Sequence, residues 1–168
     1  MITKNQLIKK LNDSRITFQL HEHEALFTVK DSEKKRGGIE GIHTKNLFLK
    51  NKKKEYFLFS CEEKQSVNIK KLSKSLVLGN LSFAKEVALK EYLNITPGSV
   101  TPFGLLNDIE NKVNFFLDNN LTQDDQINFH PLENTATITM QVKDFINFLL
   151  ENNKKVNIFD FKSYTLIK

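Results

Sequence analysis

Seven short strand-like runs, "ITFQLHE", "NLFLK", "EYFLFS", "VNFFLD", "QINFH", "TATITM" and "VNIFDF", most constrain what this chain can fold into. Each sets Phe, Ile, Leu or Val in alternation or in a short cluster and gives way to turn-forming polar residues, as half-buried strands do. Helical periodicity interrupts them irregularly. Residues 3–14 place Leu7, Ile8 and Leu11 on one face behind a Thr3 cap, and Thr28 can cap a short helix that Gly37 ends. "VNIKKLSKSLVLG", closed by Gly79, "AKEVALKEYLN" and "QVKDFINFLLENN" are further helices, and "VNIFDF" is the final strand. "NLFLK" and "EYFLFS" flank the polar "NKKK" as the arms of a β-hairpin. Helices that break strands without a regular βαβ rhythm imply the α+β class with a mixed sheet.

The chain has 168 residues, enough for one domain with a sizeable core and no need of disulfides or metals. No apolar run approaches the roughly 20 residues that cross a bilayer. The amphipathic start "MITKNQLIKKLNDS" does not read as a secretory signal, and Cys61, alone in the sequence, suits a reducing cytoplasm. The net charge is +5, with 25 Lys and Arg against 20 Asp and Glu, clustered in "EKKRGG", "LKNKKKEY" and "NIKKLSK". Such an excess favours polyanions such as tRNA through counterion release. A lysine- and asparagine-rich composition from an AT-rich coding sequence gives the same numbers.

Lys45 and Asn46 stand where the run "GIHTKNLFLK" enters a strand, a place that aims a side chain more firmly than a loop does. A solvated lysine fits there equally well. "NITPGSVTPFGLLND" holds two of the three prolines and two of the six glycines, so it is a structured loop rather than a regular element. Gly98 lets backbone N–H groups approach a ligand, and Pro97 and Pro102 hold the loop in shape; a rigid turn needs the same residues. His130 precedes Pro131 and is held extended, either for function or as a core or capping histidine. His21, His23, His43 and His130 show no metal-ligand spacing, so no metal or other cofactor is expected. Cys61 reads as structural.

"HEALFTV", "GIHTKNLFLK", "LSFA", "TPGSVTPFGLLND" and "NFHPLENTATITM" occur in the order seen in one family. Over residues 3–161 the chain resembles the freestanding prolyl-tRNA editing proteins of the YbaK/ProX superfamily, in the branch called ProX, PrdX or ProXp-ala. The resemblance implies a curved mixed sheet surrounded by helices and a single editing domain over residues 1–168. It also implies trans-editing, in which alanyl-tRNA(Pro) is hydrolysed to alanine and free tRNA. A synthetase pocket built for proline cannot reject the smaller alanine by more than about 1–3 kcal/mol per methylene, so a second hydrolytic site is needed.

By the same resemblance Lys45 is the key lysine of the site and Asn46 its catalytic neighbour. The Gly98–Pro102 segment, with Ser99, Val100 and Thr101, is the loop that receives the terminal adenosine. His130 limits side-chain size, Phe27 and Val29 form apolar walls, and His43 and Thr44 flank the lysine. Hydrolysis is substrate-assisted, a ribose hydroxyl helping to activate water. The implied partner is the alanine-bearing acceptor end of tRNA(Pro), with docking on prolyl-tRNA synthetase left open; no membrane or DNA partner is expected. Cysteinyl-tRNA(Pro) hydrolysis and a non-catalytic tRNA-binding module are the alternatives.

Overall fold

The computed structural model describes residues 1–25, 38–121 and 125–167. The helix expected between Thr28 and Gly37 lies outside them, as do Phe27 and Val29. The strand-like runs assemble into one curved, mixed sheet of nine strands. They are β1 (Phe18–Glu22), β2 (Ile42–Lys50), β3 (Tyr56–Glu62), β4 (Ser82–Phe83) and β5 (Val113–Asp118). The rest are β6 (Gln126–Phe129), β7 (Ala136–Gln141), β8 (Asn157–Asp160) and β9 (Thr165–Ile167). Their order is β1-β7-β6-β2-β3-β5-β8-β9, with β4 also on β2. β2–β6, β3–β5 and β5–β8 are parallel and the other pairs antiparallel.

Strand alternation gives each face its own core. On one face Phe48, Leu58, Phe115 and Phe129 pack under helices α1 (Lys4–Asp13) and α4 (Val142–Glu151), with Phe103 edge-on to Phe145 at 5.7 Å. Thr3 and Gln6 close α1 with a capping box. On the other face Leu49, Phe57, Phe59 and Cys61 lie beneath Leu72 of helix α2 (Ile69–Leu76), and Phe59 stacks on Phe116 at 4.9 Å. The phenylalanines of the closing run, Phe159 and Phe161, belong to this second core.

Several elements differ from the sequence reading. β2 begins at Ile42 because Ile42 and His43 pair with β6, so Lys45 and Asn46 lie inside the strand rather than at its entrance. The run "VNIFDF" is not the last strand, since a turn with Tyr164 at φ 54° folds β9 back on β8. Part of the proline-rich loop is a 3-10 helix, Pro102–Asn107, in which Thr101 Oγ1 accepts from the Phe103 N–H. Pro102 sits at its start, where a missing N–H costs nothing. "AKEVALKEYLN" is α-helical only over α3 (Glu86–Ala88) and continues as a π-helix, Leu89–Leu93. That wider turn buries Ala88, Leu89 and Leu93 while Tyr92 meets Tyr56 at 4.5 Å.

α2 stops before Gly79. Val77 turns left-handed at φ 54°, and the Leu78 N–H returns to the Ser73 carbonyl at 3.0 Å. A β-branched residue there is strained by about 1–2 kcal/mol, and its side chain is 88% exposed, so packing does not compensate. Val77→Gly is expected to stabilise the protein by about 1 kcal/mol, a rise of roughly 2–4 °C in Tm. A lower Tm by calorimetry would remove the strain.

Cys61 is fully buried, and that burial pushes its thiol up to about 12 against the opposing pull of the Lys45 ammonium. A thiol whose folded pKa lies above its unfolded one stabilises fully below the unfolded value, near 8.5, and loses that contribution as pH rises toward the folded value. Urea unfolding of wild type and Cys61→Ala from pH 8 to 10.5 is expected to show their stability difference shrinking by about 1 kcal/mol per pH unit above pH 9. A constant difference would mean that the thiol ionises as readily in the fold as outside it.

Candidate active site

The two edges of β2 have different fates. One pairs with β3 continuously from Thr44 to Lys50, without a bulge. The other meets β6 only at Ile42 and His43, and β4 only at Leu49 and Lys50. Between these two short ladders, the edge from Thr44 to Leu47 has no strand partner among the described residues, which leaves a window in the sheet. β6 ends at Phe129, one residue before His130 and two before Pro131, which has no N–H to extend the ladder. Thr44 spans the start of the gap, its Oγ1 donating to the Asn128 carbonyl at 2.7 Å.

The chain enters β2 through Gly41 at φ 92°. A Cβ there would lie 3.0 Å from Asn128 Nδ2 and 3.1 Å from the Gln126 carbonyl, so backbone angle and space both require glycine. Asn128 in turn donates to the Glu40 carbonyl at 2.8 Å and fixes the approach to the strand.

With no bulge, Lys45 and Asn46 point to opposite faces. Lys45 lies opposite Cys61, on the face of the second core. The register carries His21 opposite Thr137, Thr139 opposite Asn128, and Asn128 beside His43, so these polar groups share the face of Lys45. His130, two residues beyond Asn128, stands on that face as well. Continuing the β2–β6 register by two residues sets it level with Lys45, across the window.

The histidines are held individually. The His130 Nδ1–H donates to the Ala136 carbonyl at 2.8 Å. The His23 ring meets it edge-on with centroids 6.3 Å apart and bonds Thr137 Oγ1 at 2.7 Å. The His43 Nε2–H donates to the Ile39 carbonyl at 3.0 Å. Among the described residues no three His, Cys, Asp or Glu side chains gather as metal ligands.

Asn46 governs the other face. Its Oδ1 accepts from the Ser60 hydroxyl, which orients the amide so that Nδ2 donates to the Val100 carbonyl at 3.1 Å. This bond fastens the Gly98–Pro102 loop to β2. Within the loop the Ser99 N–H closes a turn onto the Thr96 carbonyl at 3.0 Å, while Ser99 and Thr101 are buried. The Gly98 and Val100 N–H groups take no part in the loop's own backbone bonds among the described residues. Thr44, Asn46 and the loop therefore gather on one face, and Lys45, His43 and His130 on the other. The window between β6 and β4 is where both sets can be reached. Two supports escaped the sequence reading, Ser60 and Asn128. Counting pairs outward from the "NKKK" turn sets Phe59 opposite Asn46; Ser60 takes that place because Glu55 also belongs to the turn, and nothing local announces Asn128.

Residues 23–148 match the model of the aminoacyl-tRNA editing domain. The chain is 34% identical to the Prolyl-tRNA editing protein ProX of Acetoanaerobium sticklandii, over 99% of both chains. It is also 34% identical to Prolyl-tRNA synthetase associated domain-containing protein 1 of Bos taurus, over 92% of this chain and 93% of the relative. In fold it is similar to a crystal structure described as a candidate trans-editing enzyme for prolyl tRNA synthetase, with a TM-score of 0.68, 19% identity and coverage of 100% and 99%. No helix among the described residues is long and apolar enough to cross a membrane. By its domain match and its full-length similarity, the chain belongs to the aminoacyl-tRNA editing family, among the prolyl-tRNA editing proteins of the YbaK/ProX superfamily.

Proposed function

We propose that this chain, acting as a single editing domain over residues 1–168, hydrolyses alanyl-tRNA(Pro) in trans and releases alanine and intact tRNA. The observation that carries this reading is the Asn46–Val100 hydrogen bond, which fixes the glycine-containing loop to the strand that bears Lys45. Family membership and the prolyl-tRNA names of the relatives support it.

In this reading the terminal adenosine enters the window and is touched from both faces. The Gly98 and Val100 N–H groups meet it from the loop side. The Lys45 ammonium meets a phosphate or the ester carbonyl oxygen from the other side, where it stabilises the charge that develops on that oxygen. His130 bounds the space for the alanine side chain, with Phe27 and Val29 as apolar walls and His43 and Thr44 as flanking groups. Asn46 acts by holding the loop rather than by touching the ester. The water oxygen bonds to the carbonyl carbon, the bond from that carbon to the ribose oxygen breaks, and the proton from water passes to the ribose oxygen through the neighbouring hydroxyl. An aminoacyl ester is already activated, so position and oxyanion stabilisation suffice.

Lys45→Ala is expected to slow alanine release from alanyl-tRNA(Pro) by about 10²–10³-fold while the circular dichroism spectrum stays unchanged. Wild-type rates in this variant would sink the role of Lys45. Wild-type protein tested on alanyl-, cysteinyl- and prolyl-tRNA(Pro) is expected to release alanine alone. Release of cysteine instead, or binding without turnover, would overturn the substrate.

A further inference from the structure

Helix α2 carries a charge pattern that works against its own stability. Between residues 64 and 85 the chain has five lysines and no Asp or Glu. Lys70 and Lys71 stand in the first turn of α2, which contains no acidic residue, so they oppose the positive end of the helix dipole. Lys70 and Lys74 are four apart and Lys71 and Lys74 three apart, spacings at which like charges repel. Solvated surface helices normally intersperse the two signs. Lys70, Lys74 and the hairpin lysines Lys52, Lys53 and Lys54 are exposed, and none forms an ion pair among the described residues. Lys71 is offset by the Tyr164 ring 5.7 Å from its ammonium and Lys74 by its place in the last turn, but Lys70 and the hairpin lysines have no ion pair among the described residues, which points to a partner outside the fold.

Geometry joins these lysines into one surface. Asn51, at the base of the hairpin turn, donates to the Leu78 carbonyl at 3.1 Å and accepts from the Glu55 N–H at 3.0 Å. The tip bearing Lys52–Lys54 is thereby pinned to the segment that leaves α2. Beside it runs an open groove of about 760 Å³, lined by Lys70, Ser73, Lys74, Val77 and Asn80 among others. α2 packs through Leu72 on the same sheet face as Lys45. Asn51 lies six residues beyond Lys45, roughly 20 Å at the usual rise.

We propose that the α2 groove and the hairpin tip form a docking surface for the duplex part of the tRNA, its phosphates meeting Lys70, Lys74 and Lys52–Lys54 while the single-stranded 3′ end runs along β2 to the window. The proposal rests on the editing reading for its ligand. A phosphate backbone fits the surface because it supplies a repeating anion without sequence demands, matched by point-charge ammonium groups.

Two variants test it, Lys70→Gln/Lys74→Gln and Lys52→Gln/Lys53→Gln/Lys54→Gln. Binding of uncharged tRNA(Pro) is measured between about 50 and 200 mM salt, and turnover is measured on alanyl-tRNA(Pro) and on a CCA trinucleotide charged with alanine. Each variant is expected to weaken tRNA binding several-fold and to lower the salt slope by about 0.9 for every phosphate contact removed. Turnover of the charged trinucleotide is expected to stay at the wild-type rate. An unchanged salt slope for Lys70→Gln/Lys74→Gln would overturn the docking surface and leave the editing reading intact. Failure of the wild-type protein to hydrolyse either ester would overturn the editing reading, while the binding slopes would still decide the surface. Equal weakening of polyglutamate capture would also overturn the proposal, because the face would then bind any polyanion.

Discussion

A backbone edge that leaves its neighbours must find other partners, and β2 carries such an edge from Thr44 to Leu47. Its opposite edge is fully committed to β3, so the strand cannot shift register to fill the gap without pulling Phe48 and Leu49 out of the places they fill in the two cores. Both residues are deep in cores, where losing a large apolar side chain costs about 2–5 kcal/mol. Packing on the two faces therefore locks β2 in place, and the window follows from that lock. What borders the window is polar: Thr44 reaches Asn128 of β6, and Asn46 reaches the Gly98–Pro102 loop.

The bond between Asn46 and Val100 matters beyond its own energy. A neutral hydrogen bond contributes about 1 kcal/mol net, but a half-buried amide or carbonyl left unpaired costs more. Ser60 commits the Asn46 oxygen, so only the amino group is left for Val100, and the loop is held in one arrangement. Burial then keeps Ser99 and Thr101 in place, and the 3-10 helix starting at Pro102 anchors the far end through Phe103 in the first core. The loop is consequently a rigid element set against a rigid strand. This is the property that positioning an activated ester requires, where a displacement of about 1 Å can cost 10²-fold in rate.

How much of this was legible in the sequence depends on whether its cause was local. The phenylalanine-rich runs declared their strands, because alternation and clustering record burial directly. The hairpin about "NKKK" was legible too, but its register was not: Glu55 joins the turn and shifts the partner of Asn46 from Phe59 to Ser60. The parallel pairing of β2 with β6 joins residues some 85 positions apart and leaves no local mark, so the window could not be read. β9 has three exposed residues and no alternation, which hid it. The π-turn after Ala88 arises where core packing overrides intrinsic preference, whereas Val77 in its left-handed cap is exposed and shows no local sequence signal. The grouping of Lys45, the loop and His130 into one site is an expectation from resemblance to a family and from no spacing rule. The structure adds that Lys45 and the loop approach from opposite faces.

That opposition has a consequence for how binding and chemistry divide the work. If Lys45 and the loop act on one ribose from two faces, neither can hold a small ester alone, and the substrate must be threaded through the window by something longer. In the proposed docking, a tRNA anchored on the α2 groove and the hairpin tip would supply that thread, the base of the hairpin lying roughly 20 Å from Lys45 along β2. Its phosphate contacts do not change as the ester breaks, so they hold the 3′ end at the window without touching the reacting atoms. Interactions that are equal in ground and transition states lower KM, and those felt only at the developing oxyanion raise kcat. In the proposed reading the lysines of α2 belong to the first kind and Lys45 to the second, so one residue type would serve both ends of the same sheet face.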